Sequence, residues 1–491
     1  MRSFSQGLRS AIYNNDMTGY PHVCRVALVE WVGGIWENTY IPNLTNVNVT
    51  RTEALFSNTA TFTINNVNPS DLTDYGYYNP HRSDPIPAHL KPQNEWYLRI
   101  VPNVRIKIYM GLGSDLCSVF YGLVDSIEIN TEKESCKMQV TCRDMGKRFL
   151  DDCVHCIDSS EDPTLVWSIA YPIDATVTPY FLTSTDTDPK LEDIVTDICS
   201  RAGFGPFEII TDDTGLKLSD TIDGYLEFTD ATWDECINRI IDLTVFEFWI
   251  DEDGIAHFGY PPSRGYTITN EEHMLISQSI PVPLNYPTVI PSSLVVKSYD
   301  ENIVYHLDFD YFFDAATNSI TIIEDTGDIS PYDIVKVSYS YADFIFRNGM
   351  NIKKLSPFRM SHEKIYGRIK VIGNDDGIFS IVTVSNDFKL WDGSNVSPYK
   401  MYVQENKDLL DEDACLVLAT RLKQDMLDKY INIDFEVCAM PFLQIRDLIQ
   451  IEVYGTVGQI YIVTGITFTA DASSQKISQT ISAYHYTNIN L

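Results

Sequence analysis

Three signatures are missing from this 491-residue chain, and each absence removes a class of function. No stretch approaches the roughly 18 uninterrupted apolar residues of a membrane-spanning helix, so no membrane span is expected. Its 36 Lys and Arg residues form no run and stand against 68 Asp and Glu, giving a net charge of −32. A nucleic-acid binder advertises itself by clustered basic side chains, so sequence-specific binding of nucleic acid is not expected. Catalytic punctuation is absent too: there is no Gly-x-Ser-x-Gly turn, no His-Glu-x-x-His and no phosphate-cradling Gly-Lys-Ser/Thr loop. The segment Met1 to Tyr13 lacks an apolar h-region, so it is not read as a secretory signal.

Metal ligands are sparse. Cys153-Val-His-Cys156 could supply two of zinc's four ligands, with Cys117, Cys136 and Cys142 upstream, but no second pair follows at a usual spacing. Cys142 shares a strand face with Met138 and Val140, which argues for core. Several of the ten cysteines sit on the apolar side of strands or helices, which suits small buried hydrophobes in a reducing cytoplasm. The nine histidines are scattered, and no nucleophile–base pair emerges. Adjacent carboxylates occur at Asp212-Asp213, Asp308 with Asp310, and Asp375-Asp376, yet nothing singles out a glycosidase pair. Asp251-Glu-Asp-Gly254 reads as a hairpin turn and not a calcium loop, since the EF-hand ligand pattern is missing. No catalytic, cofactor or metal residue is therefore assigned, and no enzyme activity is expected.

What is abundant points to strands. Tyr (29) and Phe (23) accompany many Thr, Val and Ile residues. Single cores stop growing at roughly 250–300 residues, so several domains are expected. The stretch Leu98 to Asp152 organises the reading. Val104, Ile106, Ile108 and Met110 alternate with Arg105, Lys107 and Tyr109, and two more alternating runs, Ser118 to Asn130 and Lys137 to Asp144, complete an antiparallel meander. Further strands are predicted at Val23 to Val32, Trp36 to Tyr40, Leu44 to Arg51 and Asn58 to Asn65, after a short helix over 3–13. Asn68 to Asn94 reads as a long loop. Its Tyr75, Tyr77 and Tyr78, with Trp96 and Tyr97, suit a subunit contact or a sugar-binding face.

A proline-bearing connector (Pro163, Pro172, Pro179, Pro189) leads to a helix marked by Leu191, Ile194, Val195, Ile198, Cys199 and Ala202 and closed by Gly203. A second helix carries Trp233, Cys236, Ile237, Ile240 and Ile241, with Asp230 or Thr232 as N-cap, and a hairpin spans Val245 to Phe258. Four strand-like runs fill 282–342. A last helix, with Cys415, Leu418, Ala419, Leu422 and Met426 as its stripe, precedes a second meander at Asn432 to Tyr484.

Four local patterns together resemble phage tail hub proteins, the baseplate hubs of myophages and the tail-tip or tail-associated proteins of siphophages. A strand, Gly122-Leu-Val-Asp125, an alternating strand ending Cys142-Arg-Asp144 and a short helix resemble the first barrel of such hubs. The helix and acidic hairpin resemble their small α/β domain, and 282–342 resembles immunoglobulin-like decorations of tail and fibre proteins. Met440 to Ile449 and Ile460 to Ile466 resemble the opening of a second barrel.

The resemblance implies a mainly β fold with α+β parts: two antiparallel β-barrels joined by a small α/β domain and an inserted immunoglobulin-like β unit. The division expected is 1–152 for the N-terminal helix and first barrel, 153–262 for the connector and α/β domain, 263–360 for the insertion, and 361–491 for the helix and second barrel. It implies a homotrimeric ring in the virion, at the tail tip or baseplate, assembled in the host cytoplasm. The ring would adapt a sixfold tail tube to a threefold spike or fibre and let DNA pass. Partners implied are a tail tube or distal tail protein, a tape-measure protein and a spike or fibre protein. An acidic lumen would repel DNA in transit. Some hubs continue into a peptidase, lysozyme or receptor-binding region; with the last strand close to Leu491, such activity is expected from another protein. A carbohydrate-binding host-recognition protein is the alternative reading, and a carboxylate-based cell-wall hydrolase a third.

Overall fold

The computed structural model describes residues 21–32, 35–68, 71–75, 100–130, 136–154, 156–157, 165–166, 168–172, 188–222, 225–244, 246–259, 266–277, 280–285, 289, 293–314, 319–323, 327–342, 344–349, 351–357, 359–360, 366–375, 377–384, 400–428, 431–452, 459–471, 474 and 476–485. The expected helix over 3–13 and most of the loop after Asn68, with Tyr77, Tyr78, Trp96 and Tyr97, lie outside them, as do Pro163, Pro179 and Asp376. That loop opens with a small hairpin, Val67–Asn68 against Asp71–Tyr75, where the sequence showed no period. Among the described residues no helix is long and apolar enough to cross a membrane.

The chain is mainly β, with antiparallel pairing predominant. Period-2 alternation does what the sequence predicts: along Arg105–Leu112, Ile106, Ile108 and Met110 are fully buried, and along Lys137–Asp144, Met138, Val140 and Cys142 are. Cross-strand register carries those apolar rows from strand to strand, with Ala60 opposite Cys142, Phe62 opposite Val140 and Ile64 opposite Met138.

Among the described residues, fourteen strands make one continuous sheet. Its main path runs Ile35–Tyr40, His22–Val32, Arg105–Leu112, Asp115–Ile129, Lys137–Asp144, Thr59–Asn65, Leu44–Thr52, Gln459–Asp471, Lys476–His485, Ile431–Cys438 and Ile352–Leu355. The two meanders are thus joined edge to edge. Leu44–Thr52 is the seam: Val47 has Phe62 as neighbour on one side and Ala470 on the other. The edge that would close the first meander on itself is occupied by the second. Across the sheet's bend, the Ile477 N–H donates to His22 Nδ1 at 2.9 Å. Both meanders feed one core, in which Val47, Phe62 and Val140 join Phe435, Val463 and Phe468.

A second core holds the helices and small sheets between the meanders. The helix Leu191–Arg201 buries Ile194, Val195, Ile198 and Cys199 and ends at Gly203 with a φ of 91°, as its pattern predicts. The helix Trp233–Ile241 starts at Thr232, whose N–H donates to Glu235 Oε2 at 2.9 Å; Asp230 lies outside it with a left-handed φ of 51°. The helix Glu412–Asp428 presses Cys415, Leu418 and Ala419 into the same core.

A third core belongs to a two-layer unit. One sheet is Tyr266–Met274, Ile334–Tyr341, Val295–Ser298 and Val304–Tyr305; the other is Val282–Pro283, Ser319–Ile322 and Tyr311–Asp314. The following strands leave it for the large sheet. Phe344–Arg347 pairs in parallel with Leu448–Glu452, and Phe346 packs edge-on against Phe435 with ring centroids 5.2 Å apart.

Candidate functional site

Groups weighed in the sequence go to separate places. Cys142 is buried in the first meander, and burial raises its thiol far above the ordinary range. Cys117 is buried with Sγ 3.0 Å from the Pro441 carbonyl, a contact between the meanders. The Cys153 backbone bridges Thr232, and Cys156 lies in a two-residue strand paired with Leu165–Val166. Among the described residues, no three His, Cys, Asp or Glu side chains are grouped to hold a metal ion.

One carboxylate of each adjacent pair binds backbone donors. Asp213 accepts the Gly215 N–H at 3.0 Å and pairs with Lys190. Buried Asp310 accepts the N–H groups of His306 and Asp328, whereas Asp308 is exposed. Asp375 accepts the Gly377 N–H at 3.0 Å. Each satisfies backbone donors that a tight turn leaves unpaired.

One cavity lies where three parts of the chain meet. Its volume is about 280 Å³, and it is lined by Arg51 to Phe56 of the seam region, Asp144 of the first meander, Trp249 to Glu252 and His257 of the acidic hairpin, and Gln444 to Asp447 of the second meander. The hairpin consists of Glu247–Ile250 and Ala256–Gly259. Asp251 shapes its turn, accepting the N–H groups of Asp253 and Ile255 at 2.9 Å each. Burial works against the Asp251 carboxylate, but its bonds to His257 and Ile255 hold its pKa below the ordinary value. Gly254 takes a φ of 79°, and a Cβ there would meet the Tyr121 ring at 1.9 Å.

That fit sets Glu252 at the centre. Its carboxylate pairs with Arg51 and accepts Gln444 Nε2 at 3.1 Å, while its carbonyl accepts Ser118 Oγ at 2.6 Å. One residue of the hairpin therefore grips both meanders. Beside it the Arg446 guanidinium lies 4.9 Å over the Trp249 ring, which stacks on His257 at 4.9 Å and an interplanar angle of 2°. Burial raises the Asp144 carboxyl to about 6, against the N–H groups of Asn58 and Gly146 that favour its charged form. Asp144, Asp251, Glu252 and Asp447 all have partners within the protein. The arrangement is suited to holding three parts in fixed relation.

Sequence reading did not single out Arg51, Glu252 or Gln444. A signal existed for Arg51. It continues the inward phase of Val47 and Val49 along Leu44–Thr52, and a charge in an apolar phase demands a partner. No local pattern marks Glu252 or Gln444 as that partner.

No protein-family model matches the chain, and no curated relative matches it in sequence. Solved structures align with most of its length, tail proteins among them. The 43 kDa tail protein of prophage MuSo2 from Shewanella oneidensis is 13% identical, with a TM-score of 0.48, covering 94% of this chain and 98% of that one. A tail protein from Neisseria meningitidis MC58 is 8% identical, with a TM-score of 0.48 and coverage of 95% and 97%. The prophage tail protein gp18 from Listeria monocytogenes EGD-e is 10% identical, with a TM-score of 0.40 and coverage of 95% and 96%.

Proposed function

We propose that this chain is a structural hub of a phage tail tip or baseplate, in which three copies form a ring between a sixfold tail tube and a threefold spike or fibre. The observation that carries the reading is the seam. By pairing Leu44–Thr52 with Gln459–Asp471, each chain sets two antiparallel meanders side by side. Three chains would then offer six such units on one side while keeping threefold symmetry on the other, and the task needs position, not chemistry. In this reading each meander serves as one barrel of the resembled family. Of the four stretches 1–152, 153–262, 263–360 and 361–491, the third supplies the two-layer unit as the immunoglobulin-like insertion, while its strands from Phe344 onward join the second meander. DNA passes through the ring past carboxylates, and the tube, tape-measure and spike proteins are its neighbours in the virion.

Oligomeric mass in solution together with averaged electron-microscope images tests the proposal. A threefold ring is the expected result, and an elongated monomer at every concentration overturns it.

A second reading, carbohydrate binding at the tail tip, draws on Tyr299 and Tyr332, both exposed on the two-layer unit. Binding of the purified chain on a glycan array, with loss in Tyr299→Ala and Tyr332→Ala, would favour it.

A further inference from the structure

Two exposed apolar faces of this chain carry opposite charge. The first is the tip of the two-layer unit, where the chain passes from one of its sheets to the other. Ile303, Val304, Leu307, Phe309 and Phe312 are each between 44% and 53% exposed. The tip is fixed from within. Asp310 accepts the His306 N–H at 2.7 Å and the Asp328 N–H at 2.8 Å, and a Cβ on Gly327 would meet the Asp310 backbone at 2.7 Å. Asp308 holds a φ of 63° and donates its N–H to the Tyr311 carbonyl at 2.8 Å. A tip already ordered loses little conformational freedom on docking. Its rim is acidic, with Asp300, Asp308 and Asp328 exposed. Burial, together with Asp333, Asp310, Asp300 and Asp328, raises the Tyr305 phenol above its ordinary value, so these carboxylates act on the tip collectively.

The second face is the outer side of the sheet Arg368–Ile372, Phe379–Thr383 and Met401–Glu405. Its inner residues Ile369 and Val371 are buried in the core that includes Cys415, Leu418 and Ala419. On the outer side, register sets Met401 beside Arg368, and Val403 and Ile381 beside Lys370. Phe379, Ile381, Met401 and Val403 are each between 38% and 46% exposed. Lys370 Nζ lies 4.4 Å over the Phe379 ring, and Lys400 Nζ lies 4.8 Å over Tyr366. Glu405, beside Ile372, is the acidic residue at one end of this face.

We propose that these faces dock between neighbouring copies, the acidic apolar tip of one against the basic apolar sheet of the next. Apolar side chains would fill the centre of the contact, while opposite charges on the rims set its register and exclude tip against tip. Because the two surfaces differ, the contact is heterologous, and repeating it gives a closed ring when the rotation closes. The inference rests on the ring reading above and adds which faces meet.

Sedimentation analysis of the full chain tests it with Asp308→Lys, Lys370→Glu and the double variant. Each single reversal sets like charge against like charge and is expected to weaken association about tenfold or more. The double variant restores opposite signs and is expected to regain assembly, a rescue that simple misfolding would not produce. If both single variants assemble like the parent, the tip-to-sheet contact is refuted while the ring survives. A parent chain that stays monomeric refutes both. Glycan binding lost in Phe309→Ala, with assembly unchanged by the reversals, would make the tip a sugar platform and overturn the docking.

Discussion

Arg51 and Glu252, distant in sequence, meet as an ion pair whose side chains are only 7% and 4% exposed. Removing one partner strands the other. Glu252→Ala is expected to destabilise the protein by about 3–5 kcal/mol, because Arg51 is left charged in a closed environment. Replacing both by apolar residues, as in Arg51→Met with Glu252→Leu, is expected to recover most of that loss. Urea unfolding of the parent and both variants checks this; a double variant as weak as Glu252→Ala would show that the pair itself supplies the stability.

The His22–Ile477 bond ties stability to pH. Nδ1 accepts a backbone N–H, which requires it to be unprotonated. Burial and then the nearby Lys353 charge lower the His22 pKa from its ordinary 6.5. The unfolded chain therefore takes up the proton first, and stability rises with pH between the folded value and 6.5. The contribution is complete above 6.5 and disappears as pH falls through the folded value. Melting temperatures of the parent and His22→Gln, followed from neutral to mildly acidic pH, should converge on acidification. A constant gap would contradict this linkage.

Asp144 has the opposite sign. Its carboxyl titrates near 6 in the folded chain against an ordinary 3.8, chiefly because it is buried. Its protonated form favours folding, a contribution present below 3.8 and lost as pH rises through about 6. Asp144→Asn removes the titration, so the parent should lose stability relative to this variant across that window. The difference between their unfolding free energies, measured at several pH values, should level off above it.

Two glycines separate backbone strain from crowding. At Gly215, φ is 65° and a Cβ would meet nothing within 4 Å, so Gly215→Ala is expected to cost about 1 kcal/mol. At Gly254 a Cβ would also strike Tyr121, adding about 1–3 kcal/mol of overpacking. Thermal unfolding should rank Gly254→Ala well below Gly215→Ala, and equal losses would show that the hairpin yields without penalty.

Legibility in the sequence followed distance along the chain. The alternation of Ile106, Ile108 and Met110, the helical stripe ending at Gly203 and the Asp251–Gly254 turn depend on near neighbours, and each was readable. The seam was not, because Val47 alternates in the same way whether its second neighbour is Ala470 or nothing. Tertiary pairing also decided the fate of carboxylates: Asp308 and Asp310 look alike in the sequence, yet one is exposed and the other caps two backbone N–H groups. Arg51 shows the middle case, where the wrong residue type in the right phase announced a buried charge but not its partner.

The seam also sets a timetable. During synthesis Leu44–Thr52 emerges early, while its neighbour Gln459–Asp471 comes close to the far end of the described chain. Until then that edge presents unpaired N–H and C=O groups, the kind of template to which foreign strands add. Long-range pairing of this sort is slow to form. A nascent chain of this protein is thus most open to strand addition at Leu44–Thr52 in the interval before Gln459–Asp471 emerges to cover it.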